Sequence, residues 1–215
     1  MKNSEIWHFL DDSAHGPQEN MDIDSRLLEK SANLADVPLV RFYDWDRPSI
    51  SIGYVQKEEA VKDAENYTVV KRPTGGGIVY HDTDFTYTVV VPPGHWIAKL
   101  DRVESYRVFH KAVVRALSTF GLKCMLVDKE QPKADRATMQ CFITPTKYDV
   151  LCSNFKPGKT VKVAGSAQRR TRNGILHQGS ISLEPAGNNK QLLKRELKKA
   201  FEAEFDISFA PYIFS

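Results

Sequence analysis

Cysteine is scarce in this chain. Cys124, Cys141 and Cys152 are the only three, and none stands in a Cys-x-x-Cys pair. An odd count without that spacing argues against a disulfide framework and a structural zinc site, so no metal and a reducing cytoplasm are expected. Long apolar runs are missing as well. Met1-Lys2-Asn3-Ser4-Glu5 leads into none of signal-peptide length, and no span is long enough for a membrane, so secretion and membrane insertion are not expected. Charge of one sign is also lacking: 30 Lys and Arg face 27 Asp and Glu, a net +3. That mild excess suits an acidic protein partner, and no aromatics interleave the basic runs as nucleic-acid binding would require. Repeats, low-complexity tracts and linkers are absent, and a single domain over 1–215 is expected. Apolar residues at 41% and charged residues at 27% fit an ordinary globular chain with a sizeable core.

What is present reads as strand clusters broken by a few helices. Glu5–Leu10 is a short apolar strand, 11–18 a polar loop, and 20–34 an amphipathic helix with an acidic start. Residues 37–43 and 49–55 read as a strand pair, and 57–66 as a short charged helix. Asp101–Phe120 is the clearest helix, striped by Val103, Tyr106, Phe109, Val113 and Leu117 and stopped by Gly121. Strands are expected at 122–127, 147–155, 160–164 and 175–183. A polar loop over 128–140, a basic helix over 188–204 and an apolar end over 207–214 complete the chain. The order argues α+β with a mixed, mostly antiparallel sheet and packed helices.

Three stretches carry possible chemistry. In Lys71-Arg72-Pro73-Thr74-Gly75-Gly76-Gly77-Ile78-Val79-Tyr80-His81-Asp82, three glycines between two strand patterns leave the backbone bare, so amides could meet a carboxylate or phosphate beside two cations. No Gly-Lys-Ser/Thr and no helix follows, which excludes a P-loop and a dinucleotide loop. A wide hairpin turn is the plainer alternative. In Lys162-Val163-Ala164-Gly165-Ser166-Ala167-Gln168, small residues make a narrow floor at a strand end, with Lys162 able to offer an ammonium to a carbonyl oxygen. A surface lysine on a hairpin fits as well. Cys141 ends a polar loop before an apolar strand, where a thiol could be a nucleophile or a small buried side chain. Cys124 and Cys152 look structural. His81 and His177 could each be a base, a ligand contact or a core histidine.

Together these stretches resemble the lipoate–protein ligase and octanoyltransferase superfamily, whose catalytic fold is shared with biotin–protein ligases. The residues that carry the likeness are Arg41-Phe42-Tyr43-x-Trp45, Ser51-Ile52-Gly53-Tyr54, Arg72-Pro73-Thr74-Gly75-Gly76-Gly77 with His81-Asp82, Lys162-x-x-Gly165-Ser166-Ala167-Gln168 and His177-Gln178-Gly179-Ser180. They run from about residue 7 to 183. The resemblance implies a tunnel for an octanoyl or lipoyl chain, lined by Arg72, Gly75, Gly76, Gly77, His81, Gly165, Ser166 and Ala167, with Lys162 on the reacting carbonyl. The segment Cys141-Phe142-Ile143-Thr144-Pro145-Thr146-Lys147-Tyr148-Asp149 looks like that of the cysteine-dependent octanoyltransferases and amidotransferases, which implies Cys141 as nucleophile. About thirty residues follow Leu183, too few for the accessory domain that the ligases usually carry. The expected activity is therefore acyl transfer through a cysteine thioester. Acyl carrier protein or a lipoyl-bearing protein would be the donor, and a lipoyl domain or glycine-cleavage H-type protein the acceptor, with no cofactor. The alternatives are an ATP- and Mg-dependent lipoate ligase, or a non-catalytic module that binds an acyl group or carrier. Arg169, Arg170, Arg172 and the basic helix bearing Lys194 could meet an acidic carrier, or simply face solvent.

Overall fold

A computed structural model describes residues 4–62, 64–128 and 146–213. Among them a mixed sheet of eight strands runs in the order β11-β1-β2-β6-β10-β9-β8-β7, with a smaller sheet ordered β4-β3-β5. In the large sheet β1 (Glu5–His15) lies parallel to β2 (Leu39–Trp45) and to β11 (Ile207–Pro211). All its other pairings, among β6 (Asp84–Val91), β7 (Cys124–Leu126), β8 (Val150–Lys156), β9 (Lys159–Thr171) and β10 (Gly174–Ser182), are antiparallel. The mixed, mostly antiparallel α+β expectation is borne out.

Side chains alternate across the large sheet, so each face has its own partner. Phe42, Phe85, Tyr87, Val89 and Ile181 pack on α2 (Arg102–Ser118) and α3 (Lys190–Phe205) through Phe109, Val113, Leu197 and Phe201. Leu39, Val90 and Leu176 face the other way, onto Ile23, Leu27 and Leu28 of α1 (Pro17–Glu29). Asp101 caps α2 by accepting from the Val103 and Glu104 amides, and Asn189 caps α3 through the Leu192 amide. Gly121 takes a φ of 73° just past α2, where any Cβ would be strained.

Several local expectations are corrected. Residues 11–15, read as loop from their polarity, continue β1: Asp11 pairs with Phe42, and a bulge lets His15 reach Trp45. Their polar side chains lie toward solvent or take Arg41, which hides the strand from an apolar pattern. The segment 57–66, which has charge but no apolar stripe, forms only a 3-10 turn at Glu58–Ala60. Residues 37–43 and 49–55 do not pair, because β3 (Ser49–Ile52) belongs to the small sheet. There β3 lies between β4 (Thr68–Lys71) and β5 (Val79–His81), so the glycine stretch is an arch over β3 and not a hairpin turn. Residues 147–149 form a turn with Tyr148 at a φ of 67°, and β8 begins after them. Cys124 and Cys152 stand opposite each other on β7 and β8 and form a disulfide. That corrects the argument against disulfide bonding, and with it the cysteine argument for a reducing compartment. Cys141 lies outside the described residues. Among the described residues no helix is long and apolar enough to cross a membrane.

A buried charge network pins α1 to the sheet. The Arg41 guanidinium, fully buried, donates to Asp24 Oδ1 at 2.7 Å, Asp12 Oδ2 at 2.8 Å and Asn20 Oδ1 at 2.7 Å. It also lies 4.0 Å over the Tyr43 ring. The other Asp24 oxygen accepts from Thr88 Oγ1 and Gln178 Nε2, each at 2.7 Å. Removing one member of such a set leaves a charge in a low-dielectric interior. Asp24→Ala is therefore expected to cost about 3–5 kcal/mol in urea unfolding, whereas a loss under about 1 kcal/mol, typical of surface pairs, would contradict the network's role.

Candidate functional site

The glycine arch is held from inside by Arg72. Its amide donates to the Ile52 carbonyl at 2.8 Å, extending the small sheet by one residue. The side chain turns under the arch: Nη2 donates to the Gly75 and Gly77 carbonyls at 2.9 and 2.7 Å, and Nη1 to Ser51 O and Oγ at 2.7 Å each. Three loop and strand carbonyls thus converge on one planar cation whose fork matches them. Because Ser51 Oγ accepts from Arg72, its own proton points to His81 Nε2, 2.6 Å away. His81 Nδ1 donates in turn to Asp84 Oδ2 at 2.8 Å, which also accepts from Ser180 Oγ at 2.5 Å. Burial works against the Asp84 carboxylate, but His81 and Ser180 hold its pKa below the ordinary value. Trp45 stacks on His81 at 4.1 Å and donates its indole N–H to Thr86.

The arch rests on two backbones. A Cβ on Gly53 would meet the Gly76 carbonyl oxygen at 2.4 Å, so β3's end and the arch touch main chain to main chain. Gly76, at a φ of 87°, sits over β9: its Cβ would lie 3.2 Å from Ala167 Cβ and 3.3 Å from Arg72 Nη2. Thr74 Oγ1 donates to Gln178 Oε1 at 2.6 Å and ties the arch to β10 and to Asp24 behind it. The structure therefore brings the glycine stretch and the Gly-Ser-Ala strand into direct contact.

On β9 alternation divides the small-residue stretch. Ala167 pairs across with Gln178 and Gly165 with Ser180, on the side of the arch. Ser166 points to the opposite face, where its hydroxyl lies 2.8 Å from His110 Nε2 on α2. His110 Nδ1 lies 2.6 Å from the Tyr148 carbonyl. A carbonyl only accepts, so the proton sits on Nδ1 and Nε2 is the basic nitrogen. Lys162 is buried, with Nζ 2.7 Å from Asp149 Oδ2. That oxygen also accepts from the Thr146 amide and hydroxyl at 2.6 and 2.9 Å, which shapes the turn that aims Tyr148. His177 lies on the α2 face between Gln168 Nε2 at 3.0 Å and Tyr87 OH at 3.3 Å. Burial, and then His110 nearby, depress its pKa well below the usual range, which keeps it a neutral part of the core. Arg169 reaches the Pro73 carbonyl at 3.4 Å, while Arg170 folds back onto Ser105 at 2.8 Å.

Ser51 and Asp84 gained no role of their own from the sequence, because both read as ordinary strand residues. The three-residue spacing of His81 and Asp84 across a turn was the available signal. His110 was masked by the apolar stripe of its helix, where it stands one turn from Tyr106 on the inward side. Asp149 was noted only as the last residue of the segment that begins at Cys141. Among the described residues no group of His, Cys, Asp or Glu gathers into a metal-binding cluster.

Comparison with known proteins agrees with this architecture. An octanoyltransferase LipM of Geobacillus kaustophilus is 34% identical, with 91% of this chain and 76% of the relative covered. The octanoyltransferase LipM of Anoxybacillus flavithermus is 36% identical over 83% of this chain, which spans 66% of that relative. Among solved structures, lipoate-protein ligase A bound with ATP superposes with a TM-score of 0.69 at 19% identity, covering 98% of this chain and 90% of its own. A bipartite lipoate protein ligase from Thermoplasma acidophilum gives 0.68 at 18% identity, covering 98% and 88%. At such identities the structures speak for the fold alone. The profile of one family matches residues 16–208, and with the arch, the Lys-x-x-Gly-Ser-Ala strand and their contact in place, the chain belongs to the lipoyl protein ligase A/B catalytic domain family.

Proposed function

We propose that this chain is an acyltransferase of protein lipoylation, acting in the cytoplasm, that moves an octanoyl or lipoyl group through a cysteine thioester to a lysine of a lipoyl-type domain. What supports this reading is the seating of Gly76 against Ala167, which places a side-chain-free arch over a strand of small residues where an extended acyl chain can lie. The names of the relatives point to the octanoyl group. Each buried methylene contributes about 0.8 kcal/mol, so eight-carbon chains are preferred over short acids. Acyl carrier protein or a lipoyl-bearing protein is the donor, and a lipoyl domain or H-type protein the acceptor.

In the first half-reaction the Cys141 thiolate attacks the donor thioester carbonyl. A new C–S bond forms, and the carrier's thiolate leaves and takes up a proton. Lys162, fixed by Asp149, supplies an ammonium for the oxyanion. Arg72 and His81 act on the arch, Arg72 directly and His81 through Ser51. The acceptor lysine then replaces the cysteine and leaves as an amide. This route needs no cofactor; a ligase would need ATP with Mg.

Incubation with octanoyl–acyl carrier protein is expected to add one octanoyl mass to the intact chain and none to Cys141→Ser. No adduct on the wild type, together with lipoate-dependent ATP–pyrophosphate exchange, would replace the transferase with a ligase. Gly76→Ala puts an L-residue into a left-handed conformation, at about 1–2 kcal/mol, and presses on Ala167. Acyl loading is expected to slow about tenfold in single-turnover mass kinetics, and an unchanged rate would detach the arch from acyl binding.

A further inference from the structure

Attack by the acceptor lysine requires a proton acceptor. His81 is committed to Asp84 and Ser51, deep under the arch. We propose that His110, working through the Ser166 hydroxyl, takes the proton that the acceptor lysine gives up. The inference rests on the acyl-transfer reading and names the base which that reading leaves open.

Three observations carry it. The Tyr148 carbonyl fixes the His110 tautomer so that Nε2, the basic nitrogen, faces outward to Ser166 at 2.8 Å. Ser166 is partly exposed while His110 is buried, so the hydroxyl can stand between the imidazole and an incoming group. Ser166 also lies on the same strand as Lys162, whose charge acts on the same His110 ring, so the hydroxyl is on the side of the ammonium assigned to the reacting carbonyl and not on the side of the arch. The groups facing His110 are Asp149 and Lys162 as an ion pair, His177 at 5.8 Å and Tyr106 at 6.4 Å between ring centres. Burial lowers the His110 pKa, Asp149 and the Tyr148 carbonyl oppose that shift, and Lys162 adds to it. The net direction is down, so the imidazole is neutral and able to accept at neutral pH. Tyr106, pushed up to about 12 by burial, does not compete.

The proton count closes. The lysine ammonium passes one proton to Ser166 Oγ while the serine's own proton moves to His110 Nε2. The C–N bond forms and the C–S bond breaks; the second nitrogen proton goes to the departing Cys141 thiolate, and the imidazolium returns its proton to water.

The test uses full-length protein loaded with octanoyl, purified as the adduct, and mixed with an acceptor lipoyl domain in single turnover between pH 6 and 9, a range set by the ordinary histidine and lysine values of about 6.5 and 10.4. Wild type is expected to show a rate flat across neutral pH that falls only as His110 protonates. His110→Gln and Ser166→Ala are expected to transfer about 100-fold more slowly near pH 7, with rates rising about tenfold per pH unit as the lysine itself deprotonates. Ser166→Ala, a small change at a partly exposed position, keeps the test valid if His110→Gln fails to fold. Variants as fast as wild type, or slower by one factor at every pH, would overturn the relay while the acyl-transfer reading stands. A wild type that forms no adduct overturns both.

Discussion

One guanidinium sets the shape of this site. The three glycines of the arch have no side chains to hold them, and their carbonyls would point into the protein without partners. Arg72 satisfies those of Gly75 and Gly77 and, through Ser51, anchors the arch to the strand it crosses. A lysine could not do this, since a point charge on a flexible stem lacks the planar fork. The arch can stay bare because its support comes from below, and bare backbone is what allows it to sit on Ala167 with only 3.2 Å to spare for a Cβ at Gly76.

The support is layered. Behind Arg72 stand Ser51, His81 and Asp84, and Asp84 is gripped by Ser180 of the large sheet. Behind Thr74 stand Gln178, Asp24 and Arg41. Two buried polar chains thus run from the arch into the large sheet on the side of α1. Among the described residues, none of their side-chain polar atoms is buried without a partner, which is the condition for such networks to rigidify rather than destabilise. The opposite face of β9 carries Ser166 and His110, with Lys162 and Asp149 farther along. The small residues that face the arch and the groups assigned to the reacting carbonyl thus lie on the two faces of one strand.

Much of this was legible in the sequence. The α+β class, the central helices, the glycine loop and the small-residue strand follow from turn residues, periodicity and a family likeness. What stayed hidden has physical causes. Residues 11–15 are polar because β1 exposes them, so pattern alone made them loop. The pairing of β3 with both β4 and β5, rather than with β2, is a long-range choice that no local propensity encodes. Cys124 and Cys152 are 28 residues apart and meet only because β7 and β8 pair. His110 sat in an apolar stripe and looked like core, yet its two ring nitrogens are both spoken for by polar atoms.

The most direct measurement of the central claim, that an acyl chain lies between the arch and β9, is photolabelling. An octanoyl analogue with a diazirine near its far end, presented on acyl carrier protein, should mark peptides containing residues 75–77 and 165–167, and free octanoate should compete the label away. Labelling confined to other surfaces, or label that octanoate does not displace, would contradict the account.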